Sequence, residues 1–187
     1  MDFWIDNSLW TCLGMAIAAW VVPRRIKFRR LTGVVLFGFH LDNKILRARG
    51  LFERKGAPET FDAAGFVALM RKVRAGDHVT YPTFDRENDC TVPDEGEIAK
   101  ETKFIVVEGN YLLLNSEPWS ELTELFDVTV RLDVPRGELQ KKLIARWIDH
   151  GLSLQKARER ALGNDMVNVD YVLNNSRAAD FVIRASA

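Results

Sequence analysis

The stretch Phe104-Ile105-Val106-Val107-Glu108-Gly109-Asn110-Tyr111-Leu112-Leu113-Leu114 constrains this chain more than any other. Four apolar residues in a row, with no polar alternation, read as a strand buried on both faces, and such strands belong to parallel sheets in α/β proteins. Glu108 comes at the end of the run and Gly109 breaks it. A carboxylate there stands at the carboxyl edge of the sheet, where open α/β sheets receive their ligands.

The surrounding pattern alternates strands with helices, as a mainly parallel sheet requires. Val34–Phe37 is a short apolar strand ending at Gly38, and Asp42 is an N-cap for a helix over Asn43–Arg49 that Gly50 ends. Asp62 caps a helix over Ala63–Arg74, with Phe66, Leu69, Met70 and Val73 at helical spacing. His78–Pro82 reads as a short strand, and residues 85–100, polar and proline-containing, as a surface loop. A short helix near Glu121–Leu125 precedes a strand over Asp127–Pro135. Glu138–His150 forms an amphipathic helix stopped by Gly151, and Ser153 caps another over Leu154–Leu162 that ends at Gly163. A helix near Asn168–Asn175 leads to a final strand at Asp180–Arg184. Without repeats or linkers, this is one domain of three layers.

Length and charge narrow the function. A chain of 187 residues, 47% hydrophobic and 28% charged, has the composition of a folded globular domain. Lys plus Arg equals Asp plus Glu at 26 each, so no net field favours nucleic acid or an anionic membrane. Cys12 and Cys90 have no metal-ligand spacing, and a reduced, cytoplasmic protein is expected.

Residues 1–37 differ from residues 38–187 and form an atypical N-terminal segment. Leu9–Val22 is mostly apolar but short of the roughly 20 residues that span a bilayer. Asp2 and Asp6 precede it and Arg24 and Arg25 follow, the reverse of a signal peptide. A core helix, a tail with an apolar patch and a segment foreign to the ancestral gene all fit this pattern, and no membrane partner is expected.

Three further segments accompany Glu108: Gly38-Phe39-His40-Leu41-Asp42-Asn43, Lys55-Gly56-Ala57-Pro58-Glu59-Thr60-Phe61-Asp62 and Tyr81-Pro82-Thr83-Phe84-Asp85-Arg86. In order and spacing they resemble the P-loop small-molecule kinases that include uridine kinase, phosphoribulokinase and pantothenate kinase, above all the bacterial fructokinase-like or nucleoside kinase-like branch. The resemblance runs from Gly38 to about Ile183. It implies an α/β P-loop NTPase-like fold, with a mainly parallel sheet, helices on both faces and a helical lid. It also implies transfer of the ATP γ-phosphate, with Mg2+, to a hydroxyl of a nucleoside, sugar or pantothenate-like acceptor.

Phosphoryl transfer needs a backbone cradle, a lysine, a metal site, a base near the acceptor and cationic lid groups. The cradle, Gly-x-x-x-x-Gly-Lys-Ser/Thr, occurs nowhere in the sequence. The sheet is therefore expected to lack its first strand and phosphate loop, leaving an open edge that favours a homodimer. A shifted reading frame, a misassigned start or a gene truncation would account for residues 1–37. In the family the second strand ends Asp-Gly-Phe-His, the Asp serving the substrate hydroxyl, and here Phe37 stands in that place.

The remaining roles follow the resemblance residue by residue. Glu108 matches the acid that orients magnesium or its water, or else it caps a neighbouring element. His40 and Asp42 fit substrate contacts, with a structural histidine and an N-cap as the alternatives. Tyr81, Phe84, Asp85 and Arg86 offer stacking and polar groups to a small molecule, or pack as an aromatic loop. Arg146, Arg158 and Arg160 match lid arginines that grip ATP phosphates, on helices where exposed arginines are also expected. The expected protein is a kinase-family phosphotransferase impaired in this chain; the alternative is a noncatalytic binding or regulatory protein that self-associates.

Overall fold

The computed structural model describes residues 16–18 and 31–184. Five strands form the main sheet: β1 (Ala16–Ala18), β2 (Leu31–Val35), β5 (Phe104–Gly109), β6 (Thr129–Asp133) and β7 (Phe181–Arg184), in the order β2-β5-β1-β6-β7. Two more strands, β3 (Val79–Asp85) and β4 (Cys90–Ile98), make a separate antiparallel hairpin. The helices are α1 (Asn43–Ala48), α2 (Ala63–Arg74), α3 (Arg136–Asp149), α4 (Leu154–Arg160) and α5 (Met166–Asn175). Among the described residues no helix is long and apolar enough to cross a membrane.

The apolar run containing Glu108 is β5, and it pairs in parallel with β2, Val34 opposite Val107 and Val35 opposite Glu108. β6 and β7 are likewise parallel. The open edge expected from a missing first strand does not lie beside β5: Ala16–Ala18 pair there, antiparallel to both β5 and β6, with Ile17 opposite Glu108 and Val130. Backbone groups in the middle of a sheet need partners, and three residues suffice to supply them there. Otherwise the expected apolar run Leu9–Val22, Cys12 and the arginines behind them lie outside the described residues.

One core joins Val34, Leu36 and Val107 to Phe66 and Met70 of α2, to the buried run Tyr111–Leu114 and to Val172 of α5. A second, smaller one holds Leu139 and Leu143 of α3 against Ala161, Met166 and Val169. Burying such residues contributes roughly 1.5–3 kcal/mol per large side chain, which fixes α2 and α5 on the sheet and leaves α3 and α4 to close over its carboxyl end.

Local signals explain most boundaries. Asp42 caps α1 by accepting from Lys44 N at 2.7 Å, and Asp62 caps α2 by accepting from Gly65 N at 2.9 Å. Gly151, at φ +85°, turns the chain out of α3. Three expectations are corrected. Residues 85–100 are largely strand, because β4 pairs with β3 from Val79–Ile98 to Asp85–Cys90. The second strand is Leu31–Val35, and Leu36–Phe39 wind into a 3₁₀ turn. Gly163 does not end α4: a π turn over Ala161–Asp165 carries it into α5, and the buried Ala161 and Met166 hold that continuation in the smaller core.

Candidate functional site

At the carboxyl end of β5 a cavity of about 330 Å³ opens between the segment that follows β2, the β3–β4 hairpin and the lid formed by α3 and α4. The chain enters it directly from the sheet. Phe37 and His40 leave the 3₁₀ turn into its wall, and Phe61 and Phe84 complete an aromatic side. The His40 ring stacks on Phe61 with centroids 4.0 Å apart and meets Phe37 edge-on at 5.2 Å. Burial, with the Lys55 charge adding to it, lowers the His40 pKa to about 4, so the imidazole is neutral at neutral pH.

Gly38 makes this arrangement sterically feasible. A Cβ there would collide with the backbone carbonyl of Pro82, so glycine lets β3 lie directly on the turn that carries Phe37 and His40. Thr91 of β4 adds a hydrogen bond from its hydroxyl to the His40 carbonyl at 2.9 Å. The hairpin is thereby locked to the floor of the cavity.

The polar side is built from ion pairs. Lys55 donates to Asn43 Oδ1 at 2.8 Å and to Asp89 Oδ1 at 2.6 Å, and its ammonium lies 5.2 Å from the centre of the Phe84 ring. From the lid, Arg146 lies 3.5 Å from the buried Asp165 carboxylate, which also accepts from Trp147 Nε1 at 2.6 Å. Burial pushes the Asp165 carboxyl up, with the Trp147 hydrogen bond and the Arg146 charge pulling against it. Arg160 donates to the Glu53 carbonyl at 2.9 Å and its guanidinium lies 5.3 Å from the Trp147 ring, tying α4 to the 3₁₀ turn over Phe52–Arg54.

Among the described residues, Asn110 Oδ1 of the lining is buried without a hydrogen-bond partner, and the buried His40 ring is hydrogen-bonded with the Thr60 backbone. Aromatic faces, carboxylates, amides and cations around a small cavity suit a ring-bearing or polyhydroxylated molecule.

The expected site residues divide. His40, Phe84, Arg146 and Arg160 line the cavity. Arg158 is exposed on α4 and Asp42 is engaged as the α1 cap. Tyr81 donates to the Gly33 carbonyl at 3.0 Å, and its ring lies against Gly96. Asp85 accepts from Glu87 N at 2.9 Å and from Asn88 Nδ2 at 2.6 Å, folding the hairpin tip. Arg86 lies 5.4 Å from the Phe37 ring centre, and with Tyr81 and Phe84 it borders a smaller cavity of about 250 Å³. Glu108 is half-buried; burial raises its carboxyl above the ordinary range, and the Arg86 charge pulls it back.

Asp89, Asp165 and Asn168 line the cavity without having been singled out from the sequence, whereas Lys55 and Asn110 fall inside segments that carry the resemblance. Asn110 follows Glu108-Gly109 directly, a usable signal. Asp165 and Asn168 lie past the glycine taken as a helix stop, and Asp89 in the stretch read as loop, so their patterns pointed away from a site.

A Mg2+ ion is implied by the resemblance. Glu108 offers one carboxylate, and among the described residues no group of three His, Cys, Asp or Glu side chains gathers. These residues alone do not compose a metal site.

No protein-family model matches the sequence. The chain is 39% identical over 146 residues to the uncharacterized protein YggC of Escherichia coli K12, covering 78% of this chain and 60% of that one. It is 33% identical over 149 residues to the ATP-dependent kinase-like protein notR' of Aspergillus versicolor, covering 74% and 87%. Against the protein named "Putative uridine kinase C227.14" of Schizosaccharomyces pombe the identity is 34% over 142 residues, covering 74% and 59%. The chain thus spans about 60% of the length of two of these relatives. Among solved structures, one titled as a "putative fructose transport system kinase" from Silicibacter sp. TM1040 superimposes with a TM-score of 0.78 at 35% identity, over 87% of this chain and 93% of that one. With a kinase-like relative and a kinase structure matched over most of their own lengths, on the fold and site described above, this chain belongs to the P-loop small-molecule kinase family.

Proposed function

We propose that the cavity under the lid binds a hydroxyl-bearing small molecule, of nucleoside, sugar or pantothenate-like type, and that phosphoryl transfer to it from ATP is impaired in this chain. The lining carries the first half of this reading: the rings of Phe61 and Phe84 beside Lys55, Asp89 and Asn110 put stacking surface and hydrogen-bonding groups around one cavity. Phe84 and Phe61 stack on a ring or cover its apolar face, while Lys55 and Asp89 orient polar groups at its rim. Arg146 and Arg160, placed on the lid, suit the anionic end of a phosphate-bearing partner.

Phe37 supports the second half. It lines the cavity at the position where the family carries its acceptor-side Asp, and a phenyl ring neither accepts nor orients a proton. The sequence also holds no Gly-x-x-x-x-Gly-Lys-Ser/Thr cradle. ATP is the phosphoryl donor in this family; here its binding would rest on the lid arginines and the Glu108 region. A noncatalytic, cytoplasmic binding protein is the second reading, and Phe37 favours it over a fully active kinase.

Titration calorimetry with Mg·ATP, joined to a thermal-shift panel of uridine, fructose and pantothenate, tests this. Stabilisation by an acceptor without product formation is expected. A phosphorylated acceptor formed at several turnovers per second, an ordinary kinase rate, overturns the impairment. No shift with any hydroxylated ligand class overturns the acceptor site.

A further inference from the structure

On the reading that the cavity under the lid holds a hydroxyl-bearing small molecule, we infer that this molecule is built on a planar, uncharged heteroaromatic ring. Phe37 sets that choice, as a specificity-determining residue, against open-chain and fully hydroxylated acceptors. The Phe37 ring meets His40, Phe61 and Phe84 edge-on or tilted, with centroids 5.2, 6.4 and 6.1 Å away and interplanar angles of 72°, 87° and 67°. Aromatic rings attract one another at these separations. All four rings line the cavity, so position 37 adds a wall to an aromatic box where an aspartate would set a charge among the rings. His40 and Phe61 are buried at its base, while Phe37 and Phe84 are partly open.

Charge around the box is balanced. Among the described residues the lining holds three cations and three carboxylates, and each cation faces one of them: Lys55 with Asp89 at 2.6 Å, Arg146 with Asp165 at 3.5 Å and Arg160 with Glu53 at 4.0 Å. An acceptor bearing its own carboxylate would have to take a cation from one of these pairs and leave the other member uncompensated. The His40 ring, neutral at neutral pH, adds no charge. A polyol is disfavoured for a different reason. Burying a hydroxyl costs free energy unless it is hydrogen-bonded, and one side of this lining is aromatic. Asn110 and Asn168, 5% and 2% exposed, line the same cavity, and a carboxamide offers a donor and an acceptor together. Those groups match the edge of a heteroaromatic ring whose faces the phenyl rings cover. A volume of about 330 Å³ is at the low end for small-molecule cavities and suits one ring system with a compact substituent.

Titration calorimetry of the full chain compares uridine and adenosine with ribose, fructose and pantothenate, and the series is repeated on Phe37→Leu and Phe37→Asp. The expected result is a nucleoside bound about tenfold or more tightly than ribose, fructose or pantothenate, the scale on which a stacked base contributes. Phe37→Leu keeps the position apolar but removes the ring, and should weaken nucleoside binding by about fivefold while leaving the other ligands unchanged. Phe37→Asp should weaken it further. Circular dichroism and urea unfolding establish that each variant is folded, and Phe37→Leu carries the test where Phe37→Asp does not fold. Ribose, fructose or pantothenate bound as tightly as either nucleoside overturns the inference and leaves an acceptor site standing. So does a nucleoside preference that the folded Phe37 variants retain in full. Binding of none of these ligands overturns both the choice of ring and the acceptor site itself.

Discussion

Lys55 Nζ lies 2.6 Å from Asp89 Oδ1 and 2.8 Å from Asn43 Oδ1, so one ammonium clamps the start of α1 to the tip of the β3–β4 hairpin. The Lys55 side chain is 14% exposed and Asp89 54%. Asp89→Ala strands a largely buried charge and should destabilise the fold by about 1–2 kcal/mol, below a fully buried pair because Asp89 is half in water. Lys55→Met should cost less, and urea unfolding of the double variant should recover about 1 kcal/mol of the summed loss.

His40 makes stability depend on pH. Its folded pKa, about 4, is below the unfolded 6.5, so between these values the unfolded chain binds the extra proton and the native state loses stability as pH falls. The full window corresponds to about 3 kcal/mol. Thermal unfolding between pH 7 and pH 4 should flatten in His40→Gln relative to the parent; identical slopes would mean His40 is not held neutral by its surroundings.

Glu108 acts with the opposite sign. Burial raises its folded pKa, so the folded chain binds the extra proton just above the ordinary carboxylate range, and the ionised form costs stability at neutral pH. Glu108→Gln should raise Tm at pH 7 by about 1–3 °C, a figure discounted for partial exposure. That gain should shrink on acidification below the ordinary carboxylate range, where Glu108 is itself neutral. A gain unchanged with pH would assign the effect to packing.

Gly38→Ala drives a methyl group into the Pro82 carbonyl, which backbone cannot accommodate by a side-chain rotation. The hairpin must shift from the 3₁₀ turn, at a cost of about 3 kcal/mol. Loss of hydrogen-exchange protection should appear first in β3 and β4, because they bear on Gly38 from outside the main sheet. A stability unchanged within 0.5 kcal/mol would show that the close approach does not exist.

The elements that were legible in the sequence are those with local causes. The β5 run, the Asp42 and Asp62 caps, the apolar spacing of α2 and the stop at Gly151 follow from burial and backbone conformation within a few residues. So did the presence of His40, Phe84, Arg146 and Arg160 near one site, though through resemblance to a family and not through spacing. What only the tertiary structure decided was non-local. Residues 90–98 look like a polar loop until β3 supplies their hydrogen bonds, and Gly163 reads as a stop until the buried Ala161 and Met166 hold the π turn across it. Lys55 and Asp89 are 34 positions apart and Arg146 and Asp165 are 19, so neither pair exists as a pattern in the sequence. Periodicity encodes which face of an element is apolar; which two faces meet, and which charges they trap between them, is settled by packing.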